Sequence, residues 1–92
     1  MSNIDRITAI EQALREALTP TSLQVRDDSH LHAGHAGARS GKGHFHVTLR
    51  SPAFQGMSAI ERHRAVFAAL GDLMETDIHA LSMDLAPSAP HA

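Results

Sequence analysis

A strand pattern with one apolar face lies in the middle of this chain, directly after a long segment rich in histidine and glycine. Apolar and polar residues alternate over positions 44–49, and the apolar ones are Phe45, Val47 and Leu49. Period-two alternation is typical of a β-strand that is buried on one face only. Because that face needs cover, the rest of the 92-residue chain must supply helices and neighbouring strands around it.

Two more strands and two helices are predicted around this strand. Alternating apolar residues predict a first strand over residues 22–28, a second over 43–50 and a third around 81–85. Apolar residues at three- and four-residue steps predict amphipathic helices over residues 4–18 and 60–73. Because a strand–helix–strand return is right-handed, the third strand should run parallel to the second. The sequence therefore predicts an α+β fold of order α-β-β-α-β, with two helices on one face of a three-stranded mixed sheet.

Local signals mark the ends of the two helices. Ser2 or Asn3 is suited to cap the first helix, and Ser58 with Glu61 matches the capping-box pattern at the start of the second. Gly71 weakens the helical pattern, so the second helix should break there and continue as a short helical turn. These signals predict helix boundaries independently of the apolar pattern.

The length and charge of the chain limit what it can be. The length predicts one domain over residues 1–86, followed by a flexible tail over residues 87–92. The net charge is -2 with histidines neutral, so no basic field attracts nucleic acid or an anionic membrane. No apolar run approaches the roughly 18 residues of a membrane span, and no signal-peptide pattern is present. A cytoplasmic protein is expected.

Histidine is the unusual residue of this chain, and five of its eight histidines lie within residues 28–49. His30, His32 and His35 fall in a connection of 14 residues, 29–42, which is far longer than a hairpin needs. Long loops of this kind often carry binding residues. The connection is therefore the first place to expect a functional site.

The other histidines have both structural and functional interpretations. His79 directly precedes the predicted third strand and shares the phase of its apolar residues, which suits either a hydrogen-bonded histidine at a strand edge or a metal ligand. His44 and His46 share one strand face, for which a solvated face is the simpler interpretation. His63 lies near the apolar side of the second helix, where packing is more common than metal binding.

No enzymatic site is predicted. The segment 34–37 matches the G-x-x-G of KH nucleic-acid-binding modules, but there the loop joins two helices and here it joins two strands. Asp27 and Asp28 are interpreted as ordinary solvated charges, and no nucleophile–base triad, phosphate-binding loop or H-E-x-x-H pattern is present. The chain has no cysteine, and two imidazoles cannot complete a tetrahedral metal or iron–sulfur site. If His32 and His79 bind a metal, a partner must supply the remaining ligands.

Four separate patterns occur along the chain, at residues 27–33, 43–47, 61–64 and 78–82. Together they resemble the BolA family, over residues 4–86. The resemblance implies the α-β-β-α-β fold of class II KH domains, often with an extra helical turn before the second helix. His44 and His63 also match family positions and are expected to be structural or to support neighbouring ligands. Gly43 departs from the family pattern, since relatives often have a larger polar residue before the histidine.

The resemblance also implies a partner and a cofactor. BolA proteins pair with monothiol glutaredoxins, and the heterodimer can bridge a 2Fe-2S cluster in iron–sulfur cluster trafficking or iron homeostasis. One iron is then held by thiolates of glutaredoxin and glutathione, and the other by two BolA side chains. The family's C-terminal histidine corresponds to His79 and its loop ligand to His32, with His30 and His35 as alternatives. The long loop resembles the branch of the family that has histidine rather than cysteine there.

Two other functions are compatible with the sequence. Some BolA-like proteins are described as transcription factors, so a nucleic-acid-binding regulator is the alternative. The negative net charge and the presence of only three aromatic residues, all Phe, oppose that function. A histidine-based sensor of Zn or of protons would need no partner.

Overall fold

The order of elements follows the predicted α-β-β-α-β pattern, with two short additions. This computed structural model describes residues 2–29 and 42–89. A 3-10 turn precedes the second long helix, and a short helix follows it after the expected break at Gly71. The elements are α1 (Asn3–Leu18), β1 (Ser22–Asp27), β2 (Gly43–Ser51), the 3-10 turn (Pro52–Phe54), α2 (Ala59–Leu70), α3 (Leu73–Thr76) and β3 (Ile78–Pro87).

The three strands form one mixed sheet in the order β1-β2-β3. β1 pairs with β2 in the antiparallel direction, with Val25 opposite Val47. β3 pairs with β2 in the parallel direction, with Met83 opposite the same Val47. The predicted mixed topology is confirmed, and its physical reason is the helical crossover between β2 and β3, which returns the chain to the end of the sheet where β2 begins.

Both long helices cover the same face of this sheet. The apolar side of β2, formed by Phe45, Val47 and Leu49, is at most 2% exposed and packs against them. Among the described helices, none combines the length and the apolar character that a membrane span needs. The buried core consists of Ile10, Leu14, Leu18, Phe45, Val47, Leu49, Phe54, Val66, Leu70 and Ile78.

Both predicted helix caps are present. The Ser2 hydroxyl accepts the N–H of Asp5 at 3.1 Å, and the Ser58 hydroxyl accepts the N–H of Glu61 at 3.3 Å. Glu61 in turn accepts the backbone N–H of Ser58 at 2.9 Å, which completes a capping box. Hydrogen bonds to the Glu61 carboxylate, from the backbone N–H of Ser58 first and from its side chain second, lower the pKa of Glu61, because they favour its ionised form.

The capping box of α2 should make stability depend on pH. The folded-state pKa of Glu61 lies below the ordinary value of 4.5, so its contribution is fully present above that value and is lost as the pH falls through the folded one. We expect Glu61→Gln to lower the melting temperature at neutral pH, and the difference to shrink in acid. Thermal unfolding followed by circular dichroism measures both, and a difference that is the same in acid would contradict this expectation.

The described structure continues past the predicted domain boundary at residue 86. β3 ends at Pro87, which lies opposite Ser51 in the sheet. The N–H of Ser88 donates to the carbonyl of Ser51 at 3.2 Å, and its hydroxyl accepts a hydrogen bond from the Thr21 hydroxyl at 2.7 Å. Residues 90–92 of the predicted tail lie outside the described part of the chain.

Candidate histidine site

A β-bulge at the start of β3 sets the position of His79. Ile78 lies opposite Gly43 and Ala80 lies opposite His44, so His79 is an extra residue between two paired ones. Ile78 is 2% exposed and takes the place in the core that regular alternation gives to His79. The expectation that His79 shares the phase of the apolar residues of β3 is therefore wrong, because the bulge shifts the alternation by one residue. His79 is exposed instead.

The bulge also brings two imidazoles together. The ring centroids of His44 and His79 are 5.0 Å apart, with 46° between the ring planes. His44 is only 6% exposed, so the solvated position predicted for it is wrong. Its backbone N–H donates to the Ser29 hydroxyl at 3.1 Å, and its carbonyl accepts the N–H of Asp28 at 2.7 Å. One ring of the pair is thus held inside the fold, and the other is open to solvent.

A small cleft with a volume of about 180 Å³ adjoins His44. Ala80 lies opposite His44 in the sheet, and its short side chain leaves this space open beside the imidazole. The cleft therefore places a carboxylate, an imidazole and a hydroxyl group around one small volume. Its lining residues are Asp28, His44, Phe45, Ala80, Leu81 and Ser82.

Asp28 is a buried member of this site and not the solvated charge that the sequence predicts. It is 9% exposed and accepts two hydrogen bonds from the Arg26 guanidinium, at 2.7 and 3.0 Å. The hydrogen bond and the charge of Asp28 raise the pKa of Arg26, because both favour the cation. The spacing of two residues puts both side chains on one strand face, and this spacing is the sequence signal for the pair.

The remaining predicted site residues lie elsewhere. His30, His32 and His35 fall within residues 30–41, outside the described residues, so the assignment of His32 as a ligand stays a prediction. His63 is exposed on α2 and does not join the core. Within the described ranges, no group of three or more histidine, cysteine, aspartate or glutamate side chains is arranged to hold a metal ion.

Gly43 leaves the room that the Phe45 ring occupies next to the site. A β-carbon on Gly43 would lie 2.5 Å from Cε2 of Phe45, far closer than unbonded carbons approach. Phe45 is 2% exposed and fully enclosed by the core, so its ring cannot turn away into solvent. The departure from the family pattern at Gly43 therefore has a packing reason.

We expect Gly43→Ala to lower the free energy of unfolding by about 2 kcal/mol, a typical cost of overpacking a core. Phe45→Leu made in the same protein should recover part of this loss, because the smaller side chain vacates the space. Urea unfolding of the two single variants and the double variant measures the coupling. Strictly additive effects would contradict the packing explanation.

Comparisons with known proteins agree on one family. The family model described as BolA-like protein matches residues 14–89. SufE-like protein 1, chloroplastic/mitochondrial, from Arabidopsis thaliana is 40% identical over 79 residues, which are 80% of this chain but only 21% of that protein. The DNA-binding transcriptional regulator BolA from Escherichia coli (strain K12) is 39% identical over 74 residues, which are 80% of this chain and 68% of that protein.

A solved structure has the same fold. The BolA domain of SufE1 from Arabidopsis thaliana superimposes with a TM-score of 0.77 at 36% sequence identity, covering 89% of this chain and 91% of that domain. The agreement extends over nearly all of both chains, so it includes the α+β architecture as well as the sequence pattern.

Proposed function

Since this chain belongs to the BolA family, we propose that it is a non-enzymatic partner of a monothiol glutaredoxin and shares a glutathione-ligated 2Fe-2S cluster with it through histidines. In this role it takes part in iron–sulfur cluster trafficking or iron homeostasis. The observation that carries the proposal is the exposed imidazole of His79, held on a bulge of β3 and 5.0 Å from the ring of His44.

The donor atoms of the chain fit one half of such a cluster. The chain has eight histidines and no cysteine, and histidine is the residue that replaces cysteine on a 2Fe-2S cluster of the Rieske type. Two histidines can replace two thiolates on one iron of a 2Fe-2S cluster, while thiolates hold the other iron. Glutaredoxin and glutathione supply those thiolates in the proposed complex. When bound, the cluster supplies a one-electron couple, and imidazole ligation raises its potential.

The described residues prepare His79 for this task. Its backbone is held between the paired residues Ile78 and Ala80, so little backbone entropy is lost when its side chain binds. Its imidazole is exposed, so a partner reaches it without opening any element of the fold. In the proposed complex His79 is one ligand and His32 the other, with His30 and His35 as alternatives, and His44 supports the ring of His79.

Reconstitution in solution tests the proposal. The purified chain is mixed without oxygen with a monothiol glutaredoxin, iron, sulfide and glutathione, and the mixture is followed by visible circular dichroism and size-exclusion chromatography. We expect a heterodimer whose spectrum differs from that of the glutaredoxin homodimer, and no such species when glutathione is omitted. Spectra and elution volumes that remain those of the separate proteins would refute the proposal.

The relative from Escherichia coli favours a second candidate function. That protein is named a DNA-binding transcriptional regulator and is 39% identical to this chain over 74 residues. On this chain, α2 exposes His63 and Arg64, but the net charge of -2 opposes the attraction of a polyanion. DNA binding is therefore the alternative proposal and ranks below cluster sharing.

A gel-shift series at increasing salt concentration separates the two functions. If the chain binds DNA, its affinity should fall linearly with salt on logarithmic axes, because phosphate contacts release counterions. We expect no shift at moderate salt for a range of duplexes. Binding of one duplex well above the others, with a measurable salt slope, would favour the regulator instead.

A further inference from the structure

Asn3 lies at a junction of polar groups at the N-terminal end of α1. Its side-chain amide donates to the Asp27 carboxylate at 2.9 Å and to the Ser29 hydroxyl at 3.3 Å. Its side-chain carbonyl accepts a hydrogen bond from the Arg6 guanidinium at 2.9 Å. One side chain thus links α1 to the end of β1 and to the residue that precedes the histidine-rich residues 30–41.

Arg6 extends this network to the strand that carries His79. Its Nε donates to the Asp77 carboxylate at 3.1 Å, and the two side chains are only 13% and 9% exposed. Thr76 donates another hydrogen bond to the same carboxyl group at 2.6 Å. Asp77 directly precedes β3, so a buried ion pair ties the start of this strand to α1.

Two further hydrogen bonds close the network into a ring. The N–H of Gly43 donates to the carbonyl of Asp77 at 3.0 Å, and the N–H of His44 donates to the Ser29 hydroxyl at 3.1 Å. Because Gly43 and His44 are consecutive, the path returns to its starting point through β2. The members of this polar ring are Asn3, Arg6, Ser29, Gly43, His44 and Asp77.

The polar ring joins the backbone segments that carry the candidate site, which are Ser29 with its neighbour Asp28 after β1, the start of β2 and the residue before β3. It includes Ser29 and Gly43, between which the histidine-rich connection runs, the backbone N–H of His44, and Asp77, which lies two residues before His79. We propose that Asn3 and Arg6 are positioning residues, which keep His79 beside His44 and fix where the connection leaves the sheet. The expected effect on cluster binding rests on the proposed function.

Asn3→Asp tests the ring with little change in shape. Aspartate keeps the acceptor for Arg6 and suits the first turn of a helix, but its carboxylate cannot donate the two hydrogen bonds that the amide makes. In the metal-free protein we expect the nuclear Overhauser effect between the His44 and His79 rings to weaken. We expect the cluster-bridged heterodimer to form about tenfold more weakly, a typical loss for a group behind a metal ligand.

A second variant of the polar ring and a control variant complete the test. Ser29→Ala removes a single half-buried hydroxyl, so it breaks the ring with less risk to folding and should act in the same direction. Gln12→Ala changes an exposed amide on the same helix, whose hydrogen bond goes to Glu16. In this control, the nuclear Overhauser effect between the His44 and His79 imidazoles and the heterodimer affinity should both keep their wild-type values.

Failure of this inference and failure of the proposed function give different results. In the first case the wild-type chain forms the heterodimer, and Asn3→Asp and Ser29→Ala form it equally well. If both variants also keep the wild-type nuclear Overhauser effect between the His44 and His79 imidazoles, the inference is overturned and the proposed function stands. If the wild-type chain forms no heterodimer, the proposed function fails. The nuclear Overhauser effect between the His44 and His79 imidazoles of the metal-free protein then decides the inference. A weaker effect in both variants supports the inference, and an unchanged effect overturns it.

Discussion

His79→Ala is expected to abolish the cluster-bridged heterodimer with glutaredoxin. Alanine has no donor atom, so in the proposed complex one iron would lose the ligand that His79 supplies. Removal of a group that only supports a ligand costs about ten- to a hundredfold in affinity, and loss of the ligand itself should cost more. We expect the visible circular dichroism of the reconstituted mixture to revert to that of the glutaredoxin homodimer.

His46→Ala is the matched control for this prediction. His46 lies on β2, two residues after His44, and its ring contacts the Ser82 hydroxyl at 2.6 Å. It is not part of the His44–His79 pair. Its removal should leave the spectrum unchanged. Because His79 is exposed, its replacement should change the free energy of unfolding by less than about 0.5 kcal/mol. A wild-type spectrum from His79→Ala would show that the ligand assignment is wrong.

Arg6→Ala is expected to lower the free energy of unfolding by about 3 kcal/mol. It leaves the Asp77 carboxylate, 9% exposed, without its cation, and removal of one partner of a buried ion pair is strongly destabilising. The pair also joins α1 to the start of β3, which are 71 residues apart in the chain. Urea unfolding measures the loss. Arg15→Ala, at an exposed position of the same helix, should cost less than about 0.5 kcal/mol.

The Arg6–Asp77 pair should also be sensitive to acid. Hydrogen bonds from Thr76 and Arg6 lower the pKa of Asp77, while burial opposes them. Since the folded-state pKa lies below the ordinary value of 3.8, the contribution is present above that value and is lost as the pH falls through the folded one. The difference between wild type and Arg6→Ala should therefore shrink in acid. Equal stability of the two proteins at neutral pH would contradict the role given to this pair.

The order of elements can be predicted from the sequence because each element carries its own periodic signal. The buried residues of α1, Ile10, Leu14 and Leu18, are spaced by four, and the apolar residues of β2 are spaced by two. The parallel direction of β3 follows from the helical segment between β2 and β3, since parallel strands are joined by such crossovers. These signals are local or depend on neighbouring elements only, so the tertiary structure preserves them.

The alternation of apolar and polar residues does not predict the bulge at His79, although the sequence contains another signal for it. Ile78 and Leu81 are both apolar and three residues apart, and residues at that spacing point to opposite faces of a regular strand. Both pair with the inner side of β2, opposite Gly43 and Phe45, which only an inserted residue allows. The apolar spacing therefore indicates the bulge more directly than the histidine does.

The polar ring depends on contacts between distant segments, and the sequence indicates little of it. Arg6 is the exception, because a cation near the N-terminus of a helix opposes the helix dipole. Such a residue suggests a partner outside its own helix. Asp77 and Asn3 have no comparable signal, since aspartate and asparagine are ordinary residues at the ends of helices. The burial of His44 likewise follows from its tertiary neighbours and not from the strand pattern.

Native mass spectrometry of the reconstituted mixture shows directly whether this chain and a monothiol glutaredoxin share one cluster. We predict one species that contains one copy of this chain, one monothiol glutaredoxin, one 2Fe-2S cluster and glutathione. The same species should be missing when His79→Ala replaces the wild-type chain. A cluster found only in glutaredoxin homodimers at every mixing ratio, with this chain metal-free and separate, would contradict the account.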